Sequence, residues 1–359
     1  MPPSRNHAAG DALTERMRRA INLHCDPAAG SAFWIDRAAR LGFDPRRRSY
    51  GLQDLHLLGE TTAEDLRGRP LRDFVPRRFH GRLDRFIVGQ TGGATGEGVW
   101  TAYRQDEFEE AFVFPFVEAA GVAGFPAKAT WLFVGPSGPH IIGKVVRCLA
   151  NALGSADPFS VDFDPRWARK LPDGSFARGR YVQHVIDQAM SVIERQGVEV
   201  LFTTPAVLDR LAAAMTDVQR SRIAGVHYGG MEVTPEFLLR MQTEAFPSAV
   251  HLSGYGNTLF GCCLELDTQA GRQLDYYPYG DRLHLEVVDE RGQALPTGCS
   301  GRVRFSRFDE TMLIVRMLER DEGILVTPPA GAPESFHLPG IRNPHMPPRD
   351  EKRLTLGLY

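Results

Sequence analysis

The sequence has no long apolar run, and no stretch of it is long enough to cross a bilayer. Its first residues, Met1-Pro2-Pro3-Ser4-Arg5, contain no apolar signal core. A formal net charge of −2 leaves no basic excess. Neither nucleic acid nor an anionic membrane is therefore an expected partner.

Cysteine is also scarce, and its pattern excludes a recognisable metal site. The five cysteines show no paired spacing of the kind that holds zinc: Cys25, Cys148, Cys262, Cys263 and Cys299. An odd number without a disulfide framework is typical of reduced thiols, so the cytoplasm is the expected compartment.

The 359 residues, 43% of them hydrophobic and 24% charged, are sufficient for a large soluble core. Apolar strand patterns alternate with helical patterns through the middle of the chain, which predicts βαβ units and a mostly parallel sheet. Beyond residue 260 the pattern changes to short β runs at 283–288, 301–305, 313–315 and 324–326. Residues 328–348, with seven prolines, are predicted to form an extended loop.

These changes predict four regions in an α/β protein. They are a helical and irregular segment (1–80), an α/β nucleotide- and acid-binding core (81–260), a β-rich subdomain (261–342) and a tail (343–359).

The most informative stretch is Thr91-Gly92-Gly93-Ala94-Thr95-Gly96-Glu97-Gly98. Glycine lets backbone N–H groups approach a ligand closely, and successive exposed N–H groups form a concavity for anions. The threonine hydroxyls add donors. The stretch is therefore predicted to bind phosphate, with a flexible turn as the open alternative.

Five further motifs follow in order, each at a predicted strand end or turn. They are Pro136-Ser137-Gly138-Pro139-His140, Thr203-Thr204-Pro205, Gly229-Gly230-Met231-Glu232, Ser253-Gly254-Tyr255-Gly256-Asn257-Thr258, and Arg316-Met317-Leu318-Glu319-Arg320-Asp321. Taken alone, each also fits an ordinary turn or helix start. The turn Gly298-Cys299-Ser300-Gly301 lies between the last two.

In this order and spacing the motifs resemble those of the adenylate-forming superfamily, in its phenylacetate-CoA ligase-like branch. The resemblance covers roughly residues 50–342. It implies the large N-terminal region of that fold, with mostly parallel sheets, helices and a β-rich subdomain, and ATP or AMP as ligand.

The resemblance also assigns roles to residues. Phosphates would contact Thr91, Gly92, Gly93, Thr95 and Gly96. Adenine would lie against Gly229, Gly230, Tyr255 and Gly256, Thr258 would bond the α-phosphate, and Asp321 would accept the ribose hydroxyls. His140 and Tyr228 would border the acid pocket, and Thr91 and Thr258 are the expected catalytic residues.

Three departures from the family pattern stand out. Glu97 replaces the lysine that normally follows the last glycine of the loop, and Leu259 replaces the glutamate that normally holds Mg²⁺. Mg²⁺ remains a possible cofactor, but no residue is assigned as its ligand. Glu265 lies close to Leu259 in sequence, and nothing in the sequence shows that it takes over the role of the missing glutamate. The chain also ends at Tyr359, where the family continues into a small C-terminal domain, so that domain and its lysine are expected to be absent.

The implied function is ATP-dependent activation of an aromatic carboxylic acid as an acyl-adenylate. A truncated chain of this kind resembles the atypical adenylating protein of phenazine (griseoluteate-type) antibiotic biosynthesis. That resemblance implies an aldehyde-forming reductase or another acyl-accepting protein as partner. It also implies that the 359-residue chain alone makes no acyl-CoA.

Two alternatives stay open: a non-catalytic protein that binds a nucleotide or an aryl acid, and a split acyl-CoA ligase completed by another chain. A third candidate, a P-loop at Gly138-x4-Gly143-Lys144, is disfavoured. Val145 stands where Ser or Thr should hold Mg²⁺, and Pro139 removes an N–H donor.

Overall fold

A computed structural model describes residues 5–92, 97–172 and 174–347 of the chain, with side chains described from residue 11. The N-terminal part is helical and irregular. It contains α1 (Arg5–His24), α2 (Ala32–Arg40) and α3 (Ala63–Arg67), with 3-10 turns between α2 and α3 and after α3. The apolar side chains Leu13, Met17 and Ile21 of α1 are buried, and the indole N–H of Trp34 on α2 donates to the carbonyl of Leu313, 3.0 Å away. These helices therefore pack on the C-terminal half of the chain.

A two-stranded antiparallel ribbon follows, formed by β1 (Phe86–Gln90) and β2 (Trp100–Arg104). The segment 91–99, of which the structure describes residues 91–92 and 97–99, connects its strands. A helical run then comprises α4 (Gln105–Phe108), one wide π turn, and α5 (Phe114–Ala123).

The central sheet has the strand order β4-β3-β5-β6-β7-β8. Its strands are β3 (Trp131–Gly135), β4 (Phe159–Asp162), β5 (Val200–Thr203), β6 (Gly225–Tyr228), β7 (Val250–Asn257) and β8 (Gly261–Leu264). All neighbours are parallel except β8, which pairs antiparallel with the end of β7. The predicted mostly parallel sheet is confirmed.

Helices connect the parallel strands. They are α6 (Ile141–Ala152), α7 (Pro165–Lys170), α8 (Phe176–Gln196), α9 (Pro205–Ala214), α10 (Asp217–Ser221) and α11 (Pro235–Arg240). Pro235 occupies the first position of α11, and the Thr234 hydroxyl accepts the Phe237 N–H at 3.1 Å, which caps that helix as its sequence predicts.

The second sheet is antiparallel, with the order β10-β11-β12-β13-β9. Its strands are β9 (Asp275–Tyr276), β10 (Leu283–Val288), β11 (Ser300–Phe308), β12 (Leu313–Val326) and β13 (Gly340–His345). Two sequence predictions are wrong here. The runs 313–315 and 324–326 belong to one strand, and the proline-rich segment 328–348 contains β13.

Both errors have a physical reason. The centre of β12 is polar because it passes a cavity, where an apolar alternation is not required. In β13 the proline, Pro344, lies where the ladder with β12 is irregular, so its missing N–H breaks no regular pair.

Candidate active site

A cavity of about 630 Å³ lies where the parallel strands β3, β5, β6 and β7 end. The chain winds from β3 outward to β4 and then back across to β5, β6 and β7, so the strand order reverses beside β3. In open α/β sheets, ligands bind outside the carboxyl ends of the strands at such a switch point. The long strand β12 of the second sheet forms the opposite wall.

The structure brings the predicted site residues together on this cavity. Those that line it are Thr91, Gly92, His140, Tyr228, Gly229, Gly230, Tyr255, Gly256, Thr258 and Asp321. Three others of the predicted set, Gly93, Thr95 and Gly96, lie outside the described residues.

The neck of the glycine-rich loop is held by Thr91. Its N–H donates to the Val99 carbonyl at 2.9 Å, and its hydroxyl oxygen accepts the Val99 N–H at 3.0 Å. Because that hydroxyl acts as an acceptor within the protein, its own proton remains to be donated to an oxygen atom of a ligand.

Two hydrogen bonds join the two sheets at the cavity wall. The Tyr255 hydroxyl of β7 donates to Asp321 Oδ2 of β12 at 3.2 Å, and Asn257 Nδ2 donates to Glu319 Oε1 at 2.6 Å. Glu319 and Asp321 both line the cavity, as does Arg320 between them. The sequence analysis missed Glu319 and Asn257 as site residues, although both lie within motifs that it singled out.

Burial and the neighbouring charge of Asp321 raise the pKa of Glu319 from 4.5 to about 7. The folded state then holds this proton more tightly than the unfolded state does. Its contribution to stability is present below about pH 4.5 and is lost as the pH rises through 7.

We therefore expect Glu319→Gln to flatten the pH dependence of stability. Relative to the variant, the wild type should lose about 1–3 kcal/mol of unfolding free energy between pH 5 and pH 8. Urea denaturation at both pH values measures this loss. The exposed Glu290→Gln is the control, and equal pH dependence in wild type and Glu319→Gln would contradict the expectation.

Thr258 sits on a tight turn that ends β7. The Asn257 side-chain oxygen accepts the N–H groups of Leu259 at 2.8 Å and Phe260 at 3.1 Å, and the Tyr103 hydroxyl donates to the Thr258 carbonyl at 2.8 Å. Gly256 is required before this turn, because a Cβ there would lie 2.1 Å from the Gly261 carbonyl oxygen.

In the described part of the chain, neither Leu259 nor Glu265 is placed to bind a metal ion in the cavity. Leu259 is 3% exposed, and its apolar side chain lines the cavity. Glu265 is not on the cavity; it is buried in a two-fold ion pair with Arg272, at 2.7 and 2.9 Å. Among the described residues, no group of three or more His, Cys, Asp and Glu side chains could hold a metal ion.

One end of the cavity is apolar and rich in rings, because the side chains there belong to one buried cluster. Its lining includes Phe112, Phe116, Phe202, Val145 and Leu149. Because these side chains carry no charge, this end suits the apolar body of a ligand rather than its phosphates.

Two histidines add polar atoms to the cavity lining. The ring of His227 lies 4.7 Å from that of Phe116 and 4.4 Å from that of Phe202, and its Nδ1 contacts the Leu252 carbonyl at 2.8 Å. Burial lowers the pKa of His227 to about 4, so its ring is neutral. His140 precedes α6, and its buried Nε2 has no hydrogen-bond partner among the described residues. Burial also lowers the pKa of His140.

Tyr228 contributes its ring rather than its hydroxyl. The hydroxyl bonds Nδ1 of the buried His251, whose Nε2 contacts the Phe246 carbonyl at 3.0 Å. Since a carbonyl can only accept, Nε2 carries the proton and Tyr228 donates to Nδ1. The hydroxyl is therefore occupied within the protein.

The P-loop alternative is not favoured by the structure. The ammonium group of Lys144 donates to the Val88 carbonyl at 2.7 Å, and Lys144 is not among the cavity-lining residues. Lys144 is therefore committed to the backbone of β1.

Neither a protein-family model nor a curated protein matches this sequence. Solved structures do match. The chain superposes on 2-hydroxyisobutyryl-CoA ligase crystallised with 2-HIB-AMP and CoA in the thioesterification state, with a TM-score of 0.67 and 14% identity, over 95% of this chain and 68% of that one. The same ligase in the postadenylation state with R3-HIB-AMP gives a TM-score of 0.68 and 14% identity, over 94% and 67% of the two chains.

A third structure of that ligase, in an open conformation with 2-HIB-AMP and CoA, gives a TM-score of 0.68 and 14% identity over 93% and 73% of the chains. At this level of identity the likeness shows a shared fold. The predicted α/β fold class, a mostly parallel sheet followed by a β-rich region, is confirmed, and the chain shares this fold with about two thirds of that ligase's length. In the part of the chain that the structure describes, no helix is both long enough and apolar enough to span a membrane.

Proposed function

We propose that this protein activates a carboxylic acid with ATP, forming an acyl-adenylate and pyrophosphate. One observation carries the proposal. A single cavity joins hydroxyl and backbone groups at Thr91, Gly92 and Thr258 to the Tyr255–Asp321 pair on one side and to a neutral, ring-lined pocket on the other. The fold that holds this cavity is that of ligases with bound acyl-adenylates.

The residues present fit a nucleotide. Asp321 is fixed by Tyr255 and can accept hydrogen bonds from both ribose hydroxyls. Gly229 and Gly230 leave the wall after β6 free of side chains, which suits a flat base. Gly230 has a φ of +80°, a backbone conformation that residues other than glycine rarely adopt. The Thr91 and Thr258 hydroxyls can donate to phosphate oxygens.

The chemistry needs no nucleophile from the protein. A carboxylate oxygen of the acid attacks the α-phosphorus, an O–P bond forms, and the bond to pyrophosphate breaks. The protein then acts by positioning the reactants and by placing donors where charge develops. Thr258 is the donor that we assign to the α-phosphate, and Thr91 and Gly92 serve the outer phosphates.

The finer assignments belong to the same proposal. The rings of Phe112, Phe116 and Phe202 favour an aromatic acid, and the neutral His227 offers that acid one polar contact. His140 would lie beside the carboxylate. The sequence motifs favour the phenylacetate-CoA ligase-like branch, and a phenazine-like pathway, with a reductase or another protein as the acyl acceptor, is proposed by analogy alone.

The test is ATP–pyrophosphate exchange with a panel of aromatic and aliphatic acids, with mass spectrometry for acyl-AMP. Exchange that depends on an aromatic acid supports the proposal, and the reaction without acid is the control. Tight AMP and acid binding without exchange would favour the non-catalytic binding protein, which Glu97 and Leu259 independently favour. Binding of neither nucleotide would refute both functions.

Magnesium dependence provides a separate test. In Leu259→Glu, a carboxylate beside Thr258 should make adenylate formation depend more steeply on Mg²⁺, because oxygen anions are the ligands that this ion prefers. Leu259→Gln, similar in size but neutral, is the matched control. Titration of activity against Mg²⁺ measures the effect, and identical curves for the two variants would show that residue 259 does not face the metal.

A further inference from the structure

Arg169 of α7 stands out among the arginines of this protein. Its Nη2 donates to the carbonyl oxygen of Gly92, and it lines the cavity beside Thr91 and His140. The side chain is partly buried, and no carboxylate of the described residues lies within 4 Å of its guanidinium. Arg166, on the same helix, is instead paired with Asp164 at 3.3 Å.

Two other guanidinium groups line the same cavity. Arg320 adjoins Asp321 on β12, and Arg67 donates from Nε to the Glu97 carbonyl at 2.7 Å. No ion pair within the described residues involves either of them. The lining of one cavity thus includes three arginines, whereas the glycine-rich sequence 91–98 contains no lysine.

The cations on opposite walls affect one another. Burial lowers the pKa of Arg169, and the charges of Arg166 and Arg320 act in the same direction, whereas Asp164 opposes them. The carboxylates that line the cavity are Glu232, Glu319 and Asp321. Glu319 and Asp321 accept hydrogen bonds from Asn257 and Tyr255 rather than from an arginine.

Such an arrangement of positive charges is unfavourable when the cavity is empty and favourable when it holds an anionic ligand. A partly buried guanidinium that has no carboxylate partner among the described residues has lost hydration that one bond to a backbone carbonyl replaces only in part, and a second cation adds repulsion. A ligand with several negative oxygens removes both costs, because guanidinium groups bind phosphate oxygens with charge-assisted hydrogen bonds. AMP carries only the phosphate that we assign to Thr258, so the outer phosphates are the matching ligand.

Resting on the proposed function, we propose that Arg169, together with Arg320, binds the β- and γ-phosphates of ATP. The glycine-rich loop has Glu97 where the family pattern has a lysine, and Arg169 supplies the positive charge that this lysine would give. Its bond to the Gly92 carbonyl positions the guanidinium at the neck of that loop. Arg169 therefore makes the site bind ATP more tightly than AMP, and it holds the pyrophosphate that leaves.

The experiment measures the affinities of ATP, AMP and inorganic pyrophosphate by calorimetry in wild type, Arg169→Gln and Arg169→Lys. Arg169→Gln should weaken ATP and pyrophosphate by about tenfold or more, the usual effect of losing hydrogen bonds to a charged group. AMP affinity should change by less than twofold. The ATP and pyrophosphate affinities of Arg169→Lys should lie between those of wild type and Arg169→Gln, because lysine keeps the positive charge but lacks the planar guanidinium group.

Arg147→Gln is the matched control, because Arg147 is an exposed arginine of α6 whose partner is Asp157 at 3.1 Å. Thermal melting checks that each variant is folded. Unchanged ATP and pyrophosphate affinities in Arg169→Gln, or an equal loss for AMP, would overturn the role of Arg169. A wild type that binds pyrophosphate but neither nucleotide would instead overturn the proposed function while leaving the anion site intact.

Discussion

Replacing Asp309 by alanine should lower the unfolding free energy by about 3–5 kcal/mol, the usual cost of stranding buried partner charges. The Asp309 carboxylate is fully buried and pairs with Arg282 at 2.6 Å, Arg307 at 2.5 Å and Arg16 at 3.4 Å. Burial alone would raise the pKa of Asp309, but Arg282 and Arg307 hold it below its ordinary value. Without it, two buried guanidinium groups would have no counter-ion.

The same change should also weaken nucleotide binding, because these arginines hold the cavity wall. Arg307 donates to the Leu259 carbonyl at 2.9 Å and Arg282 to the Phe260 carbonyl at 2.5 Å, just after Thr258. Chemical denaturation measures the stability loss. The control is Asp209→Ala, which breaks an exposed ion pair with Arg240 and should cost less than about 1 kcal/mol. A loss for Asp309→Ala no larger than the control's would contradict this account.

Asp321→Ala should weaken AMP and ATP binding by about 5- to 150-fold, which corresponds to about 1–3 kcal/mol for hydrogen-bonding groups left unpaired. The reason is twofold. The ribose hydroxyls lose their acceptor, and the Tyr255 hydroxyl loses the partner that fixes it at 3.2 Å. Unlike Arg169→Gln, this variant should affect both nucleotides equally and leave pyrophosphate binding unchanged.

Calorimetry with AMP is the direct measurement. Glu322→Ala is a suitable control, because Glu322 is the next residue of β12 and is not among those that line the cavity. The same AMP affinity in wild type and Asp321→Ala would remove Asp321 from the proposed ribose site. Since Asp321 is only partly buried, the fold should tolerate the change, and thermal melting checks this.

Much of the fold was predictable because its signals are local. Each of these signals involves only a few consecutive residues. Examples are the apolar runs of β3, β5 and β6 and the Thr-Pro pairs that begin α9 and α11. Strand β12 was missed as one element because residues 319–322 are all charged and Gly323 follows them. That polarity serves the cavity wall, which becomes apparent only when the facing strand β7 is in place.

The site divides in the same way. Sequence motifs pointed to Thr91, Tyr255, Thr258 and Asp321, and the structure places all four on one cavity. Glu319, Asn257 and His227 were not predicted. Their significance depends on partners 25 to 62 residues away, such as the 2.6 Å contact of Asn257 with Glu319.

The sequence by itself determined the order of strands and helices, and with it the edge of the sheet at which a ligand can bind. These follow from side-chain periodicity and turn chemistry, which act between near neighbours. Only the tertiary structure decided which charges face the cavity. Arg169 comes 72 residues after Glu97 and Arg320 a further 151, so their meeting at one cavity depends on how the two sheets pack. Coulomb interactions depend on distance in space, and no local pattern in the chain encodes that distance.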